Sequence, residues 1–471
     1  MLRPESLANL SKTTYGKQLI VALITAFVIM TFARLNLNLK QILAVAIFTY
    51  TIMCIVMFWE QKIAYAILGV VLLFLSGTLT VEDFIKFAYI DVIFFLMGMM
   101  LVVRYLEERG FFEYLIWHLS KGVKSAYKLI SILAILAAVF SSVIGVVMSV
   151  LFMIPIILKL ASKYKVNPKP LIFIVTFAAN IGSSATVIGN PVGIVLAFKA
   201  RLSFYEFIRW ATPISMTSVL STLFLSLKVF SKDIKLLDQK LKTTGSLRQE
   251  ELKTINRTDL LKCCLILLLV TFLICFHSTI ESILGLEKES LLLTSSLIGA
   301  SIVLLSEHRR VRTFIERGVD WYTLTFFAFL FASVGALENT GITEVLAENV
   351  SKICGGSILQ LLVTMTLLCG MISALLDNVV TVALFASIIH HLASLGYNVY
   401  PLWWGILFGA TFFGNATLIA STANIVAVGI LEARKLGTIS FFEWLKYGII
   451  ASFFSLSVAL LLLYIQLPLM L

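Results

Sequence analysis

The chain is written in long apolar blocks parted by short polar ones. Runs such as "QLIVALITAFVIMTFA" from Gln18, "QILAVAIFTYTIMCIVMFW" from Gln41 and "LKCCLILLLVTFLICF" from Leu261 dominate it. Each approaches or reaches the roughly 20 residues that a helix needs to cross about 30 Å of hydrocarbon. The pattern predicts crossings near 18–34, 41–58, 62–77, 91–106, 171–198, 211–228, 260–277, 289–306, 321–337, 401–430 and 445–468. Two more apolar stretches, 129–158 and 356–389, are too long for one helix and carry small or polar interruptions. Each reads as two crossings or as a re-entrant hairpin.

Composition agrees with that pattern. Of 471 residues, 59% are hydrophobic and 13% charged, whereas a soluble domain carries about 25% charged residues. The expected environment is a lipid bilayer, with the chain crossing a plasma or inner membrane many times. The net charge of +11 lies in loops, as in the cytoplasmic loops of membrane proteins, and does not point to nucleic acid. Six cysteines form no CxxC pattern and read as small hydrophobes. The polar, basic start "MLRPESLANLSKTTYGK" does not resemble a cleaved signal peptide.

Loop charge orients the crossings. A basic tail (Arg3, Lys12, Lys17) places the N-terminus in the cytoplasm, and Glu82 and Asp83 place the loop after the third helix outside. The first interrupted stretch is flanked by lysines on both sides (Lys121, Lys124, Lys128; Lys159, Lys163, Lys165, Lys169), as a hairpin entering and leaving by the cytoplasmic face would be. The segment 228–262 holds nine Lys/Arg and falls inside, and so does "SEHRRVR" from Ser306. "ESILGLEKES" and "ENTGITEVLAENV" are acidic and fall outside, so the second hairpin opens outward. Eleven crossings with the C-terminus outside satisfy every loop but the basic "KARLSFYEFIR".

A repeat is also visible. "LEERGFFEYL" (Leu106 to Leu115) returns as "LENTGITEVL" (Leu337 to Leu346), and "SSATVIGNP" (Ser183 to Pro191) as "GNATLIAST" (Gly414 to Thr422), both 231 residues later. "LASKY" and "LASLG" follow the two interrupted stretches. The expected organisation is a tail and extra helix (1–40), a first repeat (41–230), a basic linker (231–259) and a second repeat (260–471). An odd number of crossings per unit makes the second copy inverted. The fold class is thus an all-α polytopic membrane protein of two inverted-topology repeats, with about 11 transmembrane helices, two re-entrant hairpins and two broken helices. Secondary transporters use this plan, with sites at midplane breaks.

The candidate chemistry sits at those interruptions. "SSVIGVVMSV" (Ser141 to Val150) aligns with "SALLDNVVTV" (Ser373 to Val382), which puts Asp377-Asn378 at the second hairpin tip. An intramembrane carboxylate is costly, so ion or proton binding is the functional reading. The bland alternative is a structural partner for backbone N–H groups freed at the tip. The helix breaks "AANIGSSATVIGNPVGI" and "FFGNATLIASTANIVAV" gather Asn, Ser, Thr and Gly where apolar residues would suit lipid better. Unwound backbone with hydroxyl and amide oxygens can coordinate sodium, and a half-helix N-terminus can receive an oxyanion. Small residues also serve close helix packing, so Ser183, Ser184 or Ser421 taken singly could be packing residues. Asn190-Pro191 and Asn424 are the leading single candidates.

At these residues the sequence resembles the ion transporter superfamily of arsenite permeases, NhaD-type sodium/proton antiporters, the melanosomal P protein, citrate-transporter-like permeases and, distantly, divalent anion:sodium symporters. "FFLMGMMLVVRYLEERGFFEYL" is similar to its helix and turn, "SALLDNVVTV" to its hairpin motif, and "GNATLIASTANIVAVG" to its second break. The resemblance implies a homodimer and sodium held between hairpin tip and break. Carried over, Ser373, Asp377 and Asn378 face Asn415 and Thr417, with sodium at Ser373, Asp377, Asn378 and Asn415; Thr381, Ser421 and Asn424 are further candidates for ion or substrate binding. Ser141 and its neighbours then face Ser183, Ser184 and Thr186, with Asn190 and Pro191 as further candidates. The first hairpin departs from the pattern with Ile144-Gly145-Val146, so its ion site looks stripped.

The expected function is a secondary active permease for a small inorganic or organic anion, or a metalloid oxyanion, coupled to a cation or proton through Asp377. The alternative is a sodium/proton antiporter. No cofactor is expected beyond sodium or a proton as coupling ion. An enzyme is disfavoured, because the five histidines show no metal spacing and no GxxxxGK[ST] phosphate loop exists. The linker's "IKLLDQKLK" reads as a solvated connector, or alternatively as an amphipathic helix on anionic lipid.

Overall fold

Apolar runs with few breakers can satisfy their backbone groups in lipid only as helices, and helix is what forms. The computed structural model describes residues 14–33, 37–120, 122–244 and 256–471, and those residues contain no strand. Eight helices among them are long and apolar enough to cross a membrane, or nine if the bent pair Val81–Phe87 and Ile90–Glu108 counts as one span. Six shorter apolar helices of 10–17 residues accompany them. The basic tail at 1–13 and the linker stretch 245–255 lie outside the described residues.

The chain divides into two units. One comprises the residues up to Ile93 with Asp320–Ile358 and Ala383–Val399. Its core is Val70, Leu73, Leu79, Ala332 and Ala336, where helix Trp321–Asn339 lies along helix Lys62–Leu75. Gly335 lets that helix press on Phe87, whose ring would stand 2.1 Å from an added Cβ. The predicted crossing at 91–106 is preceded by a 43° bend, and Tyr89 at the bend holds a left-handed backbone (φ 47°).

The other unit comprises Phe94–Val319, Leu359–Val382 and Tyr400–Leu471. Helices Ala126–Ile144 and Val146–Tyr164 form its first hairpin, folded back at Gly145. Gly145 (φ 93°, ψ 149°) occupies a region that only glycine enters without strain, and Ser149 Oγ donates across the fold to the Ala137 carbonyl at 2.7 Å. The second interrupted stretch also breaks in two, with four residues separating helix Ile358–Ser373 from helix Asn378–Ser394.

The broken helices appear where the small polar residues lie. Helix Lys169–Gly182 gives way to two 3-10 turns before helix Pro191–Ala200, and Tyr400–Phe413 to irregular chain before Thr422–Ala433. The 231-residue offset recurs in helix boundaries. Ile90–Glu108 corresponds to Trp321–Asn339 and Lys169–Gly182 to Tyr400–Phe413 at both ends; Phe111 and Ile342, and Pro191 and Thr422, share starts.

The linker corrects both readings of it. Its first described part is helix Ser231–Thr244, whose Ile234, Leu237 and Leu241 are buried against the hairpin helices rather than solvated or laid on lipid. Asp238 Oδ1 accepts from the Ala126 N–H at 2.8 Å and so caps the first hairpin arm. With Lys242 Nζ at 2.8 Å, these contacts hold the Asp238 carboxyl below the usual carboxylate range, the Lys242 hydrogen bond contributing most.

Candidate functional site

Each helix break is met by the hairpin tip of its own half. In the first, Thr186 Oγ1 donates to the Ser142 carbonyl. In the second, Thr417 Oγ1 donates to the Ala374 carbonyl at 2.6 Å. The following long helix braces each break from behind. Ser215 and Thr212 bond Ser184 Oγ and the Ala185 carbonyl at 2.6 and 2.7 Å, while Trp444 Nε1 donates to the Asn415 carbonyl at 2.9 Å. Small residues permit the approach: a Cβ on Gly182 would stand 2.6 Å from Ala138, and one on Gly409 2.5 Å from the Thr366 carbonyl.

At the first break, Asn190 caps helix Pro191–Ala200 by accepting from the Gly193 N–H (2.8 Å) and donates to Ser183 Oγ (2.7 Å). Pro191 opens that helix, where its missing N–H costs nothing. Ser183 and Ser184 also donate to carbonyls in their own turn, at 2.7 and 2.8 Å. These are structural roles, and they fix the loop. Ser141 differs: its hydroxyl is buried with no hydrogen-bond partner among the described residues, a condition that native proteins seldom tolerate without a reason.

At the second break the expected residues divide into two groups. Ser373 Oγ donates to Asn378 Oδ1 (2.6 Å) and to the Ala410 carbonyl (3.1 Å). Asp377 begins helix Asn378–Ser394, its Oδ1 accepting from the Val379 N–H at 2.9 Å and its carbonyl from Thr381 N–H and Oγ1. The carboxylate therefore performs the capping role weighed from sequence, in a half-buried position. It is the single acidic residue in the two hairpin tips and two breaks.

Asn415, Ser421 and Asn424 form the second group around a residue that sequence reasoning did not single out. Asn180 Nδ2 donates to Asn415 Oδ1 at 2.7 Å and Asn424 Oδ1 at 2.8 Å, and Asn180 Oδ1 accepts from Ser421 Oγ at 3.1 Å. Asn424 Nδ2 in turn donates to the Gly414 and Thr417 carbonyls at 2.7 and 2.9 Å, pinning the loop. One side chain of the first break thus organises the second. The available signal was its polarity inside "FAAN", at the last turn of an otherwise apolar helix. Of the four residues expected to hold sodium, Ser373 and Asn378 are bonded to each other, while the Asn415 side-chain oxygen is engaged by Asn180. Among the described residues no cluster of three or more His, Cys, Asp or Glu could hold a metal.

Helix ends concentrate charge at both breaks. Helices 169–182 and 400–413 end there and 191–200 and 422–433 begin there, so the negative and positive ends of helix dipoles meet at each break. Buried hydroxyls and amides beside them can receive a small ion of either sign.

Comparison with known proteins agrees with this arrangement. The chain matches the "Citrate transporter" family over residues 52–352 and 292–470. It is 31% identical over 384 residues to an uncharacterized transporter of Mycobacterium tuberculosis, covering 80% of this chain and 86% of the relative. It is 24% identical over 431 residues to the human P protein, covering 75% of this chain and 50% of that one. The solved YdaH transporter of Alcanivorax borkumensis shares the fold with a TM-score of 0.57 and 15% identity, over 83% of this chain and 87% of that one. A helical membrane chain whose two broken helices meet hairpin tips, and whose sequence matches this family along most of its length, is a multi-pass membrane transporter belonging to the citrate transporter family.

Proposed function

We propose that this transporter is a secondary active permease for a small anion or metalloid oxyanion, coupled to a cation or proton by alternating access. The observation that carries the reading is the pairing of each buried helix break with a hairpin tip, through Thr186 and Thr417. The positive dipole ends of helices 191–200 and 422–433 favour an anion beside the breaks, and the family description names citrate, an anion of this kind. Asp377 supplies the titratable group that coupling needs. Both hairpins are re-entrant in this proposal, the halves are inverted, the N-terminus is cytoplasmic and the C-terminus outside. Cysteine labelling at Lys124 and Lys163 tests that topology, because labelling from opposite faces would contradict it.

A sodium/proton antiporter is the second reading, favoured by Asp377 being the lone carboxylate at these tips and breaks. Proteoliposome flux with citrate and other dicarboxylates and tricarboxylates, sulfate, arsenite and sodium, with and without a pH gradient, separates the two. Anion uptake driven by an ion gradient supports the permease. Sodium/proton exchange with no anion flux would replace it with the antiporter.

A further inference from the structure

A cavity of about 390 Å³ is lined by Arg201, Ser203, His277, Glu281, Lys288 and Glu289. It lies where the candidate span Arg257–Cys275 ends and the span Phe204–Val229 begins. Ends of apolar spans are where a bilayer meets water. It is remote in sequence from the hairpin tips, and the transport reading makes no use of it.

The lining has two chemical parts. Arg201 and Lys288 are exposed and have no ion-pair partner among the described residues. Long basic side chains at this depth suit phosphate, Arg in fork geometry and Lys as a point charge. The other part accepts hydrogen bonds. Glu281 is 5% exposed and uses Oε1 to accept from the Leu291 N–H at 2.8 Å, which leaves Oε2. His277 is 4% exposed with Nδ1 2.8 Å from the Ile274 carbonyl. A carbonyl only accepts, so Nδ1 carries a proton there. Glu289 adds a second carboxylate.

Two backbone observations mark the same place. Arg201 (φ 52°) and Glu289 (φ 67°) both hold left-handed conformations that disfavour any residue with a Cβ. The surroundings are apolar and outward-facing: Tyr205, Phe272, Phe276, Ile283 and Leu284 are all exposed. Aromatic and aliphatic side chains so placed meet acyl chains and glycerol at the membrane interface.

A plain anion would meet two carboxylates here, and a plain cation two basic groups. A zwitterion carrying a phosphate and a primary ammonium matches both parts. We propose that this cavity seats the headgroup of a phosphatidylethanolamine-type lipid. The phosphate lies on Arg201 and Lys288, the ammonium faces Glu281 and Glu289, and the acyl chains run over Phe276, Ile283 and Leu284.

Native mass spectrometry of the full-length protein in detergent tests this, with palmitoyl-oleoyl phosphatidylethanolamine, phosphatidylcholine and phosphatidylglycerol offered at equal concentration. Phosphatidylcholine keeps both charges but has no ammonium N–H, and phosphatidylglycerol has no ammonium. The expected result is retention of the ethanolamine lipid about tenfold above either, the size of one charge-assisted hydrogen bond. Glu281→Gln, whose amide oxygen still accepts from the Leu291 N–H, should abolish that preference, and Glu289→Gln should weaken it. Soluble glycerophosphoethanolamine should displace the lipid poorly. Equal retention of the three lipids, or an unchanged preference in the variants, overturns the site. Displacement by the soluble headgroup at equal concentration overturns lipid as its occupant.

Discussion

Replacing Asn180 by alanine should damage transport more than any other single polar substitution outside the hairpin tips. The side chain makes three hydrogen bonds, to Asn415, Asn424 and Ser421, at 2.7, 2.8 and 3.1 Å. Soluble-protein figures of about 1–3 kcal/mol for each buried acceptor left unpaired suggest up to about 6 kcal/mol for the two amide oxygens. Within membranes the unfolded reference finds partners too, and hydrogen bonds there average about 0.6 kcal/mol, giving about 2 kcal/mol for three. The lower figure applies, because the site lies in a membrane transporter and a water can enter the space that the amide vacates. A loss of about 2 kcal/mol leaves the protein folded but frees Asn415 and Asn424 to leave their positions. The assay is flux in proteoliposomes at matched reconstitution, with thermal stability measured in parallel. Asn180→Asp sharpens the test. Its protonated form can still donate to an amide oxygen, whereas its carboxylate would face two of them. Activity of that variant should be present in acid and fall as pH rises, beyond any pH dependence of the wild type. Wild-type kinetics in the alanine variant, or a wild-type pH profile in the aspartate variant, would refute the organising role of Asn180.

Gly145→Ala should cost about 1–3 kcal/mol through backbone strain alone, since an added Cβ has nothing within 4 Å; residual transport should keep its cation dependence, and a changed dependence would argue against a stripped first site. Gly189→Ala should be worse, because its Cβ would stand 2.0 Å from the Ser183 carbonyl, and overpacking of this kind costs about 1–3 kcal/mol or more. Gly429→Ala, with open space around the Cβ, is the control and should be neutral or slightly stabilising in thermal melts. The lowered Asp238 carboxyl favours the docked connector helix while it is ionised. That contribution is complete above the ordinary carboxylate pKa and is lost as pH falls through the lowered one, so proteolysis within Ser231–Thr244 should be slow at neutral pH and speed up in acid. Asp238→Ala should be cleaved readily already at neutral pH, and equal resistance in both proteins would remove the cap from the account.

Most of the helical plan was legible because lipid leaves few alternatives. An apolar run of 19 residues such as Arg257–Cys275 has to be a helix, and clusters such as "GNP" and "GNAT" mark where one stops. The duplicated spacing was legible for the same reason, as boundaries at Gly182 and Phe413 follow the small residues that end the helices. What could not be read was which polar atoms meet across the bundle. Asn180 and Asn415 are 235 residues apart, and their pairing depends on how the two broken helices are turned towards each other. The connector failed for a related reason. Ile234, Leu237 and Leu241 show a helical stripe, but a stripe does not say whether lipid, water or protein covers it. Asp377 was found by its charge alone, while its capping of Val379 emerged only with the helix start at Asn378.

The account's central claim is that Asp377 couples transport to an ion gradient while also capping its helix. Asp377→Asn separates the two roles, since an amide oxygen still accepts from the Val379 N–H but holds no charge. Gradient-driven flux through this variant, reconstituted at matched amounts, is the direct measurement. The predicted result is a folded protein of near wild-type thermal stability that no longer responds to a pH or sodium gradient. Gradient-driven uptake at the wild-type level would leave Asp377 as a helix cap and the claim contradicted.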